Sequence, residues 1–537
     1  MFNLKAKFQN YTKAQLARVL TQMDRDPDSP TFGCFDRNYW HYKTCDFPSS
    51  ILQQGVFTLE AIRNGSVEFI APTMVIERWC LGAVNALARQ VDRKGSVNEY
   101  YPFERSYPAA AFSLYSICRI LFDWRSSAPQ LLESVNWTPL RRLTNHVAGR
   151  IEKHAINQQA IGLAGLALAA KLDLISPLTE IIDKHATRLF NSQHSEGWFD
   201  EYGGPDSGYL TVTLDALADY YDATDDSRAL EAIDRAVSFL AKLVGADGRL
   251  PSTLNSRNTD YVVPYGLVRT AVRNTLAAWL VETLFHDIDQ PAHPIWATDD
   301  RYHSHYICAS VVRSLPYLEK MKPGKAPSLE NSIWMDDCGF WIYWSSDRQW
   351  TAYVAARKGG LVRIHRAGGL APITEYGWRI RAGSKLWTSN WWSAHWIVGK
   401  KTNAIRIHGL CQRTQFHIAN VYKHIVLRLL AWMLREELTS LLKRMMIFRP
   451  AGASGPLFER VVEISEEGVC IKDRIGTFDG AEAMPSPRQN LCHVASADSF
   501  SAEEWLPSLL GTGNRTLDEE LFVNTRWNAK KLSSINR

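Results

Sequence analysis

The chain has 537 residues, of which 46% are hydrophobic and 22% charged, and its formal net charge is +5. This composition excludes a disordered chain, and the small charge gives no argument for nucleic-acid binding. Because one hydrophobic core rarely extends beyond about 250–300 residues, we expect two or more domains.

The N-terminal residues contain no continuous apolar run of signal-peptide length, and no stretch of the sequence approaches the length of a membrane span. We therefore expect a cytoplasmic protein. A periplasmic location stays open if the chain is exported by another route. Nine cysteines are scattered without a C-x-x-C pair, which favours reduced, buried thiols over a zinc ribbon or a disulfide framework.

Helical spacing of apolar residues dominates from about residue 60 to residue 320. Leu114 and Leu121 fall on one helix face, and residues 160–172 are apolar almost all round, as in a helix buried between two layers. Repeated helix–loop–helix units predict antiparallel hairpins packed in a ring or solenoid over residues 1–320. Polar, aromatic-rich loops separate these helices, at 92–108, 193–209 and 247–266.

The composition changes after residue 320. Residues 321–332 are rich in Pro, Lys and Ser and predict a linker. Within residues 333–537, the segments 339–369 and 457–476 alternate apolar with polar residues and are broken by Gly and Asp, which is typical of antiparallel strands. We therefore predict a helical domain, a linker and an antiparallel β domain, in that order.

One segment of the β part, residues 424–446, has helical spacing instead, with basic residues at both ends. It predicts one inserted amphipathic helix. Two arrangements fit this pattern. We expect the commoner one, in which the helix packs against its own domain; the other is a peripheral contact with a membrane surface.

The loops at 193–209 and 247–266 combine many Gly, Asp, Asn and Arg residues with aromatic rings. Plain loops seldom hold so many rings, and loops on a rigid scaffold are where binding side chains concentrate. Flat apolar rings beside polar groups suit a sugar, which has an apolar face and a hydroxylated edge. The loops therefore predict a carbohydrate site, with the rings Trp198, Phe199, Tyr202, Tyr209 and Tyr261.

Several segments in one order resemble the heparinase II/III-like proteins, relatives of the alginate lyases. The resemblance implies an N-terminal incomplete α/α toroid followed by an antiparallel β-sandwich, with a polysaccharide cleft between them. It also implies β-elimination of a uronate-containing glycan, or C5 epimerisation of the uronate. The segments that carry it are residues 95–112, 156–172, 196–211, 256–266 and 358–365.

The chemistry explains the residue types of such a site. The C5 proton of a uronate is barely acidic until its carboxylate is neutralised, which an amide or imidazole can do by hydrogen bonding. A base then takes the C5 proton and an acid protonates the leaving O4. A tyrosine suits both proton roles where positive charge or hydrogen bonding favours its phenolate.

The resemblance assigns these roles to two helix starts. Asn157 begins one helix, and Tyr209 lies in the first turn of another, behind Asp206 as the expected N-cap. Their separation, 209 − 157 = 52 positions, resembles that between the family's neutralising residue and its tyrosine. Asn157 is thus implied as the neutraliser, with Gln158 sharing the amide role, and Tyr209 as base or acid.

A histidine from the β part is implied as the second proton-transfer group. His365 lies on a predicted strand and is our candidate; His395, beside three tryptophans, is its rival. Several family members place acidic metal ligands close behind such a histidine, but here Arg366 and Ala367 follow, so we expect no metal and no other cofactor.

Substrate-binding roles follow from side-chain shape. An arginine can hold a carboxylate or sulfate through two parallel hydrogen bonds, and an aromatic ring can stack on a sugar. An ion pair of Arg105 with Glu99 or Glu104 is the structural alternative. The expected substrate-binding residues are Gln158, Tyr101, Glu104, Arg105, Trp198, Arg257 and Asn258.

Four functions stay open from the residues. A polysaccharide lyase on an acidic glycan, with a surface-polysaccharide pathway as its expected setting, comes first. A uronyl C5-epimerase shares its first step. A glycan-binding or assembly protein is the non-catalytic alternative. A glycoside hydrolase would need two carboxylates across the scissile bond. Its candidate carboxylates are Asp200, Glu201 and Asp206 on one side and Asp260 or Glu104 on the other.

Overall fold

The computed structural model describes residues 4–174, 179–252, 259–393, 395–414, 418–446, 453–488 and 514–529. Helices fill the part before residue 320, and strands prevail from residue 332 onward. The predicted order of a helical part and then an antiparallel β part is confirmed. The helices are α1 Leu4–Gln22, α2 Arg37–Trp40, α3 Val56–Arg63, α4 Thr73–Gln90, α5 Tyr107–Ser127, α6 Pro129–Leu132, α7 Trp137–Ala148, α8 Ile156–Lys171, α9 Thr179–Asn191, α10 Ser207–Thr224, α11 Ser227–Leu243, α12 Tyr265–Ala271, α13 Thr275–Leu284, α14 Asp300–Tyr302, α15 Cys308–Ser314, α16 Val421–Leu434 and α17 Glu436–Met446.

The strands form two antiparallel sheets. The first is a meander in the order β1-β2-β3-β4-β5, and the second has the order β13-β12-β6-β7-β9-β10-β11-β14, with β8 paired to β9. Apolar residues of both sheets share one core. The strands are β1 Ser332–Met335, β2 Phe340–Trp344, β3 Trp350–Ala355, β4 Leu361–Arg366, β5 Ile373–Glu375, β6 Trp378–Ala382, β7 Lys385–Thr388, β8 Ile397–Lys401, β9 Ala404–Thr414, β10 Ala453–Ser465, β11 Gly468–Ile475, β12 Glu482–Pro485, β13 Arg515–Thr516 and β14 Leu521–Asn528.

Helix α8 lies at the centre of the helical part, packed between α5 and α10. Its side chains are buried on every side of the helix, as its sequence predicts. Gly165 permits the close approach of α5, because a Cβ there would lie 3.0 Å from the backbone nitrogen of Tyr115. This packing fixes the starts of α8 and α10 relative to each other.

A buried carboxylate on α10, Asp219, bonds to residues of three neighbouring helices. The Asp219 carboxylate accepts hydrogen bonds from the hydroxyls of Tyr115 on α5 (2.6 Å) and Tyr265 on α12 (2.7 Å), and it pairs with Arg313 on α15. Burial alone raises the pKa of Asp219, but Arg313 and Arg119 outweigh it and hold the pKa below its ordinary value. The carboxylate therefore stays charged and holds four helices in place.

The helical and β parts contact each other through specific hydrogen bonds. The hydroxyl of Tyr353 on β3 donates to the carbonyl of Leu243 (2.8 Å), and the backbone N–H of Ala246 donates to Thr351 Oγ1 (3.0 Å). A second contact joins the Glu196 carboxylate to the backbone N–H of Asp337 (2.8 Å). These bonds fix how the β part meets the loops at 193–209 and 247–266.

The insertion in the β part differs from its prediction. Residues 424–446 were expected to form one helix, but α16 ends at Leu434 and α17 begins at Glu436, with Arg435 between them at φ 54°. The expectation that this insertion packs its apolar face against its own domain is wrong for α16, whose large apolar side chains are mostly exposed. No helix in the described part of the chain is long and apolar enough to cross a membrane.

Candidate functional site

A short β-bridge brings the starts of α8 and α10 together. Ala155 pairs with Glu201, and the backbone N–H of Ile156 donates to the carbonyl of Asp200 (3.1 Å). The Glu201 carboxylate accepts the backbone N–H of Asn157 at 2.8 Å. Glu201 thereby serves as an acceptor for a first-turn N–H of α8, which has no partner within the helix.

The predicted N-cap of α10 is confirmed. Asp206 Oδ1 accepts the backbone N–H of Tyr209 at 2.8 Å, and its Oδ2 accepts the Thr259 hydroxyl at 2.8 Å. Gly208 is required here, because a Cβ would lie 2.5 Å from the carbonyl oxygen of Tyr261. The segment from Thr259 to Tyr261 therefore packs directly on the first turn that carries Tyr209.

Asn157 has an unusual environment. Its side chain is 0% exposed, and neither its Oδ1 nor its Nδ2 has a hydrogen-bond partner among the described residues. Gln158 Oε1 likewise has none within that part of the chain. Leaving a buried amide without partners costs about 1–3 kcal/mol, so such groups are rare unless they serve a ligand. The Asn157 amide can therefore donate a hydrogen bond to a substrate through its Nδ2.

Tyr209 lies in an aromatic cluster. Its ring meets Tyr306 edge-to-face with ring centroids 5.8 Å apart, and Tyr261 is hydrogen-bonded to it. Burial holds the pKa of Tyr261 well above its ordinary value, so Tyr261 keeps its proton. Tyr306 belongs to one turn of π-helix, His303–Ile307, a geometry often found at functional sites. Tyr209 therefore lies among aromatic rings and has the protonated phenol of Tyr261 as a hydrogen-bond partner.

The same π-helical turn carries His305. Its Nδ1 is bonded to the Gln54 amide, whereas its Nε2 has no partner among the described residues. Burial, and then Arg301, hold the pKa of His305 well below its ordinary value, so the ring is neutral. His305 packs on Tyr306 with ring centroids 3.7 Å apart.

Two cavities flank this cluster. On one side, Tyr306 stacks on Tyr302, which is hydrogen-bonded to Tyr100 at a cavity of about 630 Å³ that also contains Arg37 and Arg301. On the other side, the sequence neighbours of Tyr261 line a cavity of about 700 Å³ between the helical part and the β4–β5 turn. Each volume is within the range of small-ligand sites.

His365 does not join this cluster. It is 0% exposed, its Nδ1 lies 2.8 Å from Asp247 Oδ1, and its Nε2 accepts the Arg363 Nε–H at 2.8 Å. Both ring nitrogens are thus used, in a bridge between β4 and the loop after α11. This arrangement is typical of a structural histidine, and the proton-transfer role of His365 stays a prediction.

The β part reaches the site through another segment. Trp392 Nε1 donates to the carbonyl of Gly203 at 3.0 Å. The Trp392 ring also packs closely on Gly204, because a Cβ added there would lie 2.5 Å from Trp392 Cζ2. Gly203 and Gly204 follow Glu201, the partner of Asn157. His395, three residues beyond Trp392, is exposed. Of the two candidate histidines, His395 thus lies on the segment that contacts the loop of Glu201.

The loop at 99–105 holds three of the expected binding residues in structural contacts. Glu104 is buried and accepts the backbone N–H groups of Glu99 (3.0 Å) and Tyr100 (2.8 Å). Burial, reinforced by Glu99, raises its pKa to about 8. Arg105 lies 3.5 Å from the carboxylate of Asp92, and so not in the ion pair expected with Glu99 or Glu104. Tyr101 is half-buried, and its hydroxyl lies 3.1 Å from Thr439 Oγ1 of α17.

The remaining expected residues lie elsewhere. Trp198 is 2% exposed, stacks on His194 with ring centroids 3.5 Å apart, and donates its Nε1–H to Glu196 (3.0 Å). This placement favours a core role over sugar stacking. Arg257 and Asn258 lie outside the described residues.

The sequence did not predict two residues that lie at the site. Tyr306 and Trp392 approach the site from a π-helical turn and from the β part, respectively. The π-helical turn leaves no clear mark in the sequence. The pair Trp391–Trp392 was visible beside His395, but its contact with Gly203 depends on how the two parts dock.

No protein-family model and no curated protein matches the sequence. Solved structures match its fold. A Paenibacillus xanthan lyase has 9% identity and a TM-score of 0.51, and the match covers 90% of this chain but only 46% of the xanthan lyase. The Streptomyces coelicolor A3 chondroitin AC lyase, in complex with chondroitin sulphate, has 11% identity and a TM-score of 0.50, with 90% of this chain and 68% of that one covered.

A heparinase III structure is similar only at a TM-score of 0.37, too low to support the more specific heparinase II/III resemblance. The match to the xanthan and chondroitin AC lyases extends over both the helical and the β part. This chain therefore shares the fold of the matched parts of these two structures.

Proposed function

We propose that the protein is a polysaccharide lyase that cleaves a uronate-containing glycan by β-elimination. One observation carries the proposal. A fully buried amide without partners among the described residues, Asn157, begins the helix next to the one that presents Tyr209 in its first turn. An amide for the carboxylate and a phenol for the protons are what the elimination requires.

In this mechanism the substrate carboxylate accepts hydrogen bonds from the Asn157 amide, which Gln158 assists. As C5 loses its proton, the carbanion character at C5 adds negative charge to the carboxylate. The hydrogen bond from Asn157 therefore strengthens in the transition state. Tyr209 takes the C5 proton. The electron pair of the C5–H bond forms the C4=C5 double bond, and the C4–O4 bond breaks as O4 is protonated.

The protonation of O4 comes from Tyr209 itself or from a second group of the β part. We assign the second role to His395 rather than His365, because His365 uses both ring nitrogens and His395 is exposed beside Trp392. Trp392 also offers the sugar-stacking ring that Trp198 cannot. Arg257 and Asn258 stay proposed binding residues from their place in the loop before Thr259.

The fold-level part of the proposal follows the family resemblance. The helical part, residues 1–320, is then an incomplete α/α toroid, and residues 333–537 form the β-sandwich, joined by the linker 321–332. The glycan occupies the cleft flanked by the two cavities. Arg37 and Arg301 at one of them suit an acidic sugar unit.

The test is a mixing experiment with a panel of uronate-containing polysaccharides and one neutral polysaccharide as control. The lyase proposal expects ultraviolet absorbance from a 4,5-unsaturated uronate with at least one acidic glycan and none with the neutral one. Absence of this signal with every glycan that demonstrably binds would contradict it. Deuterium incorporation at C5 in heavy water without cleavage would then indicate the epimerase, and neither event would indicate a binding protein.

A further inference from the structure

Helix α16 is the most apolar exposed surface of the described residues. Eight of its large apolar side chains are more than a third exposed: Val421, Tyr422, Ile425, Val426, Leu429, Leu430, Trp432 and Met433. Tyr422 is 80% exposed and Met433 67%. A large contiguous apolar surface of this kind on a folded protein marks a binding surface rather than ordinary variation.

These side chains occupy one continuous half of the helix. At about 100° per residue, the eight residues fall within about 180° of arc, from Val421 through Leu429 to Leu430. Ala431, the buried residue of α16, falls on the opposite half and faces the protein. The helix therefore presents a whole apolar side outward.

Basic residues border the apolar half. Lys423 follows it on one edge and Arg428 precedes it on the other, and Arg435 comes directly after the end of the helix. Lys423, at the edge of the apolar face, can extend its charge into a lipid headgroup layer while the face enters the acyl boundary, whereas Arg428 is paired with Asp46. Tyr422 and Trp432 within the face are the aromatic types that favour this interface.

Two polar contacts join the insertion to the helical part. Arg428 forms two hydrogen bonds with the Asp46 carboxylate (2.9 and 3.0 Å), and Thr439 of α17 contacts Tyr101. The two loops that receive these contacts carry exposed rings of their own, Tyr42 and Phe103.

We infer that α16 is a membrane-surface anchor that lies in the headgroup layer of an anionic lipid bilayer. The apolar arc supplies burial in the acyl boundary, and Lys423 at its border, with Arg435 just beyond the helix, favours negative headgroups over a neutral surface or an apolar protein groove. The anchor does not depend on the proposed lyase activity. It would hold the loop at 99–105, and the cavity beside Tyr100, close to a membrane.

The experiment is co-sedimentation of the full chain with phosphatidylcholine vesicles, with and without phosphatidylglycerol. The inference expects binding to the anionic vesicles that falls with added salt, and at least about tenfold weaker partitioning for the double variant Leu429→Glu/Trp432→Glu. Ile70→Glu, which changes a fully exposed apolar residue of the helical part, should bind like the wild type. Circular dichroism and thermal melting would show that all variants fold.

Three outcomes would overturn the inference. The wild type fails to bind anionic vesicles, it binds neutral vesicles equally well, or the double variant binds like the wild type. Ultracentrifugation covers the rival occupant: a dimer that the double variant abolishes, without vesicle binding, would assign the surface to a second copy of the chain. A failure of vesicle binding leaves the glycan assay unaffected, because that assay uses soluble polysaccharide.

Discussion

The carboxylate of Glu201 accepts a 2.8 Å hydrogen bond from the backbone N–H of Asn157. This bond and the bridge from Ala155 to Glu201 join the loop before α10 to the start of α8. Everything in the proposed chemistry depends on the placement that results, because the amide and the phenol come from different helices.

Glu201→Ala should misplace Asn157. We expect activity to fall by about 10–100-fold, since a displacement of about 1 Å at a reacting group has effects of this size. Glu201→Gln keeps an oxygen acceptor and should retain most of the activity. Steady-state rates of the two variants test this. Loss of activity in Glu201→Gln equal to that in Glu201→Ala would favour Glu201 as the carboxylic acid of a glycoside hydrolase instead.

Asn157 should trade stability for function. Replacing it with the similarly sized Leu removes a buried amide that has no partner among the described residues, so the free energy of unfolding should rise by about 1–2 kcal/mol while cleavage is abolished. Urea denaturation followed by circular dichroism measures the first effect. A variant that is both inactive and less stable by more than about 2 kcal/mol would show that the amide has a structural role.

Variants of the two histidines of the β part should differ in their effects on stability and on cleavage. His365→Ala leaves the Asp247 carboxylate buried without its partner, so we expect a loss of about 2–4 kcal/mol in unfolding free energy. His395→Ala should change stability by less than about 0.5 kcal/mol, because the side chain is exposed, but should slow cleavage by about 10²-fold or more. The reverse pattern, a stable inactive His365 variant and a fully active His395 variant, would restore His365 as the proton-transfer group.

Stability should decline as pH rises through neutrality. Burial and the neighbouring Glu99 raise the pKa of Glu104 from 4.5 to about 8, so the folded state keeps a proton that the unfolded chain loses above about pH 4.5. The stabilisation is complete below pH 4.5 and is lost as the pH approaches 8. Melting temperatures from pH 5 to pH 8 should therefore fall, and Glu104→Gln should flatten that slope. An unchanged slope in the variant would assign the pH dependence to other groups.

The sequence predicted those features that depend on local pattern. Periodicity separated the helical from the β part, the all-apolar stretch of α8 indicated its burial, and Asp206 was recognisable as the N-cap before Tyr209. Features that depend on docking were not predictable. A histidine on an alternating strand does not reveal that Asp247 will meet it from another domain, and Trp198 resembles a loop ring until its stacking on His194 is seen.

The inserted helices also show what local sequence pattern can and cannot predict. Helical spacing over 424–446 was correct, but Arg435 adopts φ 54° and ends the first helix. Arg428 of α16 contacts Asp46 of the helical part, which lies 382 positions away in sequence. No local pattern encodes that contact.

The central claim is that Tyr209 moves the protons of an elimination. The most direct measurement is the rate at which the 4,5-unsaturated uronate appears, by ultraviolet absorbance, for the wild type and Tyr209→Phe on the same acidic glycan, with glycan affinity measured in parallel. The account predicts that Tyr209→Phe binds the glycan with little change and forms unsaturated product at least about 10²-fold more slowly. Product formation at the wild-type rate by Tyr209→Phe would contradict it.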